Sequence, residues 1–236
     1  MDLPYKIFPL GDAAACIDLG NRIDAGLNRK VIAMNNWLRR NPFEGLKDTV
    51  IAYSSLSIYY DPINLRNKNK SVSTAFEFVR QNLETAYQES VAIEENNNDI
   101  IRIPVCYSND FGIDMEFLVK EKNISREEII HLHTSKIYRV YMIGFLPGFS
   151  YLGQIDEKLM MPRKLKPVPV AAGNVGIAGS QTGIYPLDTP GGWQIIGRTP
   201  LKLFEANAAC PVVLGIGNQV QFYEISKEEF EKINLT

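Results

Sequence analysis

The sequence predicts two domains: an α+β N-terminal domain over residues 1–110, with an antiparallel sheet and two helices, and an all-β barrel over 111–236 led by a short helical segment. Three observations carry this reading. Apolar residues recur at helical spacing twice within the first ninety positions, and runs of period-two alternation flank both stretches. Ten of the chain's seventeen glycines then fall between Gly144 and Gly197, among short apolar runs, which is the punctuation of a small barrel or sandwich.

Taken in order, residues 5–19 alternate well enough for two short strands about Gly11, whose Gly-Asp pair signals a turn. A helix follows from about Asp24 to Arg40, with Ile23, Leu27, Val31, Met34 and Leu38 on one stripe and Asn41-Pro42 as its stop. TVIAYSSLSIYYD reads as two strands around Ser54-Ser55. Thr74 and Glu77 have the spacing of a capping box, opening a second helix to about Glu89 with Phe76, Val79, Leu83 and Tyr87 along one side. The asparagines 96–98 mark a surface turn, and IIRIPVCY, alternating at Ile101, Ile103, Val105 and Tyr107, is expected to close the first sheet.

Ser125 and Glu128 repeat the capping-box spacing ahead of Ile129, Ile130 and Leu132, so a short helix leads the second domain, with the boundary between about 107 and 135. Beyond Tyr138 the runs VYMIGF, GNVGIAG, WQIIG, PLKLF, PVVLG and NQVQFYEI are expected strands, and SKEEFEKI a closing helix.

A net charge of -2 gives no basic stripe, so nucleic acid is not an expected partner. No apolar run approaches the ~20 residues that span a bilayer, and the N-terminus lacks the basic start and apolar core of a secretion signal. A cytoplasmic protein without a membrane partner is expected. Cys16, Cys106 and Cys210 are scattered in apolar contexts, which suggests buried free thiols. His131 and His133 point about 200° apart on a helix and lack a third ligand on a strand, so no metal site is expected.

Three stretches could carry chemistry. GFLPGFSYLG places Pro147-Gly148 in a turn among Phe145, Phe149 and Tyr151: either tight-turn packing or the aromatic rim of a pocket. Ser150 lacks the following glycine of a nucleophile elbow. PRKLKPVPVAAGNVGIAGSQTG sets Arg163, Lys164 and Lys166 before Gly173, Gly176 and Gly179. It fits neither a P-loop nor a dinucleotide fingerprint, leaving barrel bends or a nest of backbone amides for an anion. SQTGIYPLDTPGGWQIIGRTP gathers Gln181, Tyr185, Trp193, Gln194 and Arg198 in a nearly uncharged run, with Trp193-Gln194 expected at the surface. That mix suits a small-molecule site, and a lone guanidinium suits bidentate carboxylate or phosphate capture; a surface arginine beside a core tryptophan is the plainer alternative. His133, just ahead of the barrel, is either an acid, base or donor at its mouth or a plain helix-end residue. No Ser-His-Asp or Cys-His set and no paired carboxylates fall in these stretches, which argues against a self-sufficient hydrolase.

Together GFLPGFSYLG, the following Pro-Arg and AGNVGIAGSQTGIYPLDTPGGWQIIGRTP resemble the allophanate hydrolase subunit 1 family, which includes the B subunit of the bacterial 5-oxoprolinase and the kinase inhibitor KipI. The N-terminal LGD, the IPVCY strand and the HT-x5-Y-x-GF arrangement extend the similarity over nearly the whole chain. The resemblance implies a cyclophilin-like barrel behind the α+β domain. It also implies work within an ATP-dependent assembly, with an A subunit and an allophanate hydrolase subunit 2-like C subunit, that opens 5-oxo-L-proline to L-glutamate. On this reading Arg163, Arg198 and the amides of Gly173, Gly176 and Gly179 stabilise developing negative charge. Phe145, Tyr151, Gln181, Tyr185 and Trp193 hold substrate, and His133 moves a proton. Inhibition of a histidine kinase and carboxyl transfer are the family's other roles. The chain departs from the family pattern at Val168, where a second arginine is usual, and at Ala171, Asn174 and Asn218.

Overall fold

The computed structural model describes residues 5–68, 73–91 and 100–234. The chain divides into two compact units, 1–95 and 96–236.

In the first unit β1 (Lys6–Pro9), β2 (Ala14–Asp18), β3 (Leu46–Ile51) and β4 (Ser55–Tyr60) form an antiparallel sheet in the order β1-β2-β4-β3. Helix α1 (Ala25–Arg40) starts where the Asp24 side chain accepts from the Leu27 amide at 2.9 Å. Its Leu27, Val31, Met34 and Leu38 are buried in one core with Ile17, Leu56 and Ile58. Polar pins fix its placement: Asn28 Nδ2 donates to the carbonyls of Ala52 (3.3 Å) and Tyr53 (3.0 Å), at the turn between β3 and β4. Helix α2 (Pro62–Lys68) is unforeseen, although Asp61 accepts from the Asn64 amide and Pro62 takes the first helical position, a start signal hidden behind the strand pattern. Helix α3 (Ala75–Glu89) carries the expected cap, with Thr74 Oγ1 accepting from the Glu77 amide at 3.0 Å. The expected turn at 96–98 lies outside the described residues.

The second unit corrects the expected boundary at 110. Strand β5 (Ile100–Val105) does not close the first sheet; it pairs in parallel with a strand near the C-terminal end, because alternation marks a strand without naming its neighbour. The unit holds α4 (Met115–Lys122), α5 (Arg126–Thr134), β6 (Ile137–Ile143), β7 (Ser150–Gly153), β8 (Val168–Val170), β9 (Asn174–Ala178), β10 (Gln181–Ile184), β11 (Thr189–Gly191), β12 (Gln194–Arg198), β13 (Gln219–Glu224) and α6 (Lys227–Asn234). Seven strands run in the order β12-β9-β10-β7-β6-β13-β5, while β8 and β11 form a separate ribbon. The two edges of the large sheet meet: the Cys106 amide donates to the Arg198 carbonyl and the Arg198 amide to the Cys106 carbonyl, both at 2.9 Å. The sheet is therefore barrel-like and nearly closed, which protects edges that an open sheet leaves bare. A Cβ on Gly197 would stand 2.7 Å from Val105 Cγ1 and 2.8 Å from the Cys106 carbonyl, so this seam requires glycine. Residues 200–204 and 211–215, expected as strands, contribute one bridge, Phe204 to Val212. Asn218 accepts from the Gly215 amide at 2.6 Å, which ties the turn that leads into β13. Cys16 and Cys106 are buried free thiols as expected, whereas Cys210 is exposed.

Candidate functional site

At one end of β12 lies a pocket of about 320 Å³. Its floor is an aromatic cluster around the buried Phe149, which makes edge contacts with Tyr151 (4.7 Å between ring centroids), Tyr185 (5.1 Å), Trp193 (5.4 Å) and Phe145 (5.6 Å). Gly191 permits the arrangement, since a Cβ there would stand 2.5 Å from the Tyr185 hydroxyl. Burial pushes the Tyr151 and Tyr185 phenols up, partly offset by the charge of Arg163, and keeps both protonated as donors.

Arg163 supplies the cation, its guanidinium carbon 6.0 Å from the Trp193 ring. It is held there by its neighbours. Gln194 Nε2 donates to the Pro162 carbonyl at 3.1 Å, the Lys164 amide donates to the Gly192 carbonyl at 2.7 Å, and Lys164 Nζ reaches Asp114 Oδ2 at 2.5 Å. The same Asp114 oxygen accepts from the Ile195 amide at 2.6 Å, so one carboxylate joins the start of α4, β12 and the 162–166 segment. Lys164 is thus committed to Asp114, whereas Arg163 has no carboxylate partner among the described residues. Nothing local in the sequence marks Asp114, fifty residues before the lysine it holds.

Of the residues singled out from sequence, Phe145, Tyr151, Arg163, Tyr185 and Trp193 line this pocket; Gln181 and Arg198 do not. Gln181 stands at the end of β10 opposite Tyr185, paired with Ala178 and Gly153. Arg198 is five residues along β12 from Trp193, about 16 Å in an extended strand, and lines a different pocket. Trp193 and Gln194, expected at the surface, are both 4% exposed, because Trp193 packs into the aromatic cluster and Gln194 turns to the Pro162 carbonyl.

The glycines form no anion nest. The Gly173 amide donates to the Tyr185 carbonyl (2.7 Å) and that of Gly179 to the Met161 carbonyl (2.6 Å), while Gly176 is mid-strand between β10 and β12. Val168 pairs with Gly191 in the ribbon.

His133 is corrected more sharply. It is fully buried on α5, stacked 4.5 Å from Phe222, and lines neither pocket. Thr182 Oγ1 donates to the Gly176 carbonyl (3.1 Å) and so accepts from His133 Nε2 (2.9 Å); His133 Nδ1 then accepts from the Tyr107 hydroxyl (2.7 Å). Burial pulls its pKa down to about 3, so the ring stays neutral. Every polar atom of the side chain is spent inside the core, which leaves nothing for proton transfer to a ligand.

Among the described residues, no serine, cysteine, histidine or carboxylate lines the Arg163 pocket. It can bind and orient an anionic small molecule against aromatic walls, and its remaining acid–base groups are engaged: Lys164 is tied to Asp114, and burial raises the two phenols. No group of three ligating side chains could hold a metal among the described residues, and no helix there is long and apolar enough to cross a membrane.

Residues 5–214 match the family described as carboxyltransferase domain, subdomain C and D. Over 232 residues the chain is 40% identical to the 5-oxoprolinase B subunit of Bacillus subtilis, covering 98% of this chain and 97% of that one. It is 35% identical over 218 residues to the 5-oxoprolinase B subunit of Haemophilus influenzae, covering 92% of this chain and 96% of that one. Among solved structures, TTHA0988 is 31% identical with a TM-score of 0.75, covering 90% of this chain, which spans 40% of that longer one. The motif resemblance is thereby borne out, and the chain belongs to the carboxyltransferase subdomain C and D family, in the company of the 5-oxoprolinase B subunits.

Proposed function

We propose that this chain is the B subunit of an ATP-dependent 5-oxoprolinase, a component that acts with A and C subunits to open 5-oxo-L-proline to L-glutamate. The near full-length identity to the Bacillus subtilis protein carries this reading, and the pocket chemistry agrees with it. Arg163 captures the substrate carboxylate through its planar fork, and the five-membered lactam ring lies against Trp193 and Tyr151. Opening the ring requires water to add at the lactam carbonyl carbon and the C–N bond to break, with a proton delivered to nitrogen. This pocket holds no group suited to activate that water, so those groups come from a partner in the assembly.

The glycine stretch does not fit a nucleotide phosphate, since its amides are engaged in backbone hydrogen bonds. This chain's part is restricted to holding substrate, and ATP is handled by the assembly. On this reading the nearly closed seven-stranded sheet is taken as the cyclophilin-like barrel that the resemblance implies, and an assembly that consumes ATP is expected to work in the cytoplasm.

The test is reconstitution with A and C subunits and measurement of ATP-dependent glutamate release. Arg163→Ala in this chain lowers kcat/KM by about 100-fold or more. Turnover by the isolated chain, or full activity of the A and C subunits without it, sinks the reading.

A further inference from the structure

A second pair of cations in the second unit, Arg198 and Lys202, plays no part in that scheme. At the barrel seam, Arg198, Lys202, Pro186, Pro200, Leu201 and Phe230 of α6 line a pocket of about 280 Å³. We propose that this pocket is a binding site for a small dicarboxylate.

The Arg198 guanidinium is held in place: Nε donates to the Ala172 carbonyl at 2.9 Å, and its carbon lies 5.9 Å from the Phe111 ring. Its two terminal nitrogens have no hydrogen-bond or ion partner among the described residues, which leaves the edge suited to bidentate carboxylate capture pre-oriented. The second cation, Lys202, pairs with Glu205 at 2.9 Å, but both side chains are more than half exposed, so this contact is weak and exchangeable. Among the described residues, no carboxylate lines the pocket. Two positive heads beside a wall of proline, leucine and phenylalanine complement two carboxylates joined by a short hydrocarbon. Inorganic phosphate would leave the apolar wall uncovered, and a monocarboxylate would leave Lys202 with only its exposed contact to Glu205. Under the proposed function the product, L-glutamate, shares the two carboxylates but adds an ammonium group that no carboxylate of this lining matches, so glutarate is the better probe of the site. The binding claim itself stands apart from that reading.

The experiment is calorimetric titration of the isolated full chain with glutarate, and with acetate and inorganic phosphate for comparison. Glutarate binds at least about tenfold more tightly than either comparison ion, and Lys202→Glu and Arg198→Lys each weaken it by about tenfold or more. Lys202→Glu keeps the parent melting temperature, because that side chain is exposed, while Arg163→Ala leaves glutarate affinity unchanged. The proposal is overturned if glutarate produces no binding signal, if phosphate or acetate binds as well, if binding survives both seam substitutions, or if Arg163→Ala abolishes it. The titration needs neither the other subunits nor turnover. An inactive reconstituted complex with intact glutarate binding therefore counts against the proposed function alone.

Discussion

His133 and Arg163 belong to the same unit and have opposite fates. The histidine is enclosed, with one ring nitrogen donating to Thr182, the other accepting from Tyr107, and its pKa depressed by burial. The arginine faces an open pocket and is fixed by its neighbours' bonds, leaving its own fork unmatched by any carboxylate among the described residues. The difference separates polar groups that hold the fold together from those left available to a ligand. A buried polar side chain must satisfy itself within the protein, whereas a binding group has to reach the ligand with capacity in hand.

Substitutions can break this comparison, and the largest effect is expected at the enclosed residue. His133→Ala removes a stacked ring and orphans the buried Tyr107 hydroxyl, while Thr182 keeps its bond to the Gly176 carbonyl, costing about 3–5 kcal/mol of unfolding free energy in urea titrations. A loss below about 1 kcal/mol would mean the network is ornamental. The same residue sets a pH signature. The unfolded ring takes up a proton near pH 6.5, while the folded ring resists until about pH 3. Stability therefore falls as pH drops below 6.5, by up to about 1.4 kcal/mol per pH unit from this group, and levels off below the folded value. Comparison of stability against pH for the parent and His133→Ala isolates that slope.

Next comes the seam. Gly197→Ala drives a methyl group into Val105 and the Cys106 carbonyl, costing about 2–3 kcal/mol by the same measurement; an unaffected variant would show that the barrel closes less tightly than described. Asp114→Asn weakens the tie to Lys164 at a site where both side chains are 17% exposed, so the stability loss is smaller, about 1–2 kcal/mol. Its more telling readout is a raised KM in the reconstituted complex, because Arg163 loses its support. The smallest stability effect belongs to Arg163→Ala, within about 0.5 kcal/mol of the parent despite the expected loss of activity. A large loss of stability there would erase the contrast with His133.

The sequence showed the fold's local pieces well and their pairings poorly. The caps at Asp24, Thr74 and Ser125 are where their residue types place them, because capping is decided within four residues. The assignment of IIRIPVCY to the wrong unit has a different origin: alternation fixes which faces are buried and leaves the neighbouring strand to tertiary packing. Site residues followed the same division. The aromatic and glycine-rich stretches around Phe149 and Trp193 indicated a pocket because they carry most of its wall themselves. Arg198 was grouped with them by proximity in sequence, yet an extended strand carries five residues about 16 Å, past the reach of one small ligand. Asp114 went unseen because its role exists only once α4, β12 and the 162–166 segment have been brought together.

The parallel pairing of β5 with β13 also has a consequence for biosynthesis. Ile100 lies opposite Gln219, so more than a hundred residues separate the partners. The sheet of the first unit, by contrast, is complete once Tyr60 has emerged from the ribosome. At ~5–20 residues per second, β5 waits roughly 6–24 s for its neighbour during translation. Throughout that interval a strand edge is left unpaired, which makes this unit the one more exposed to mispairing during synthesis.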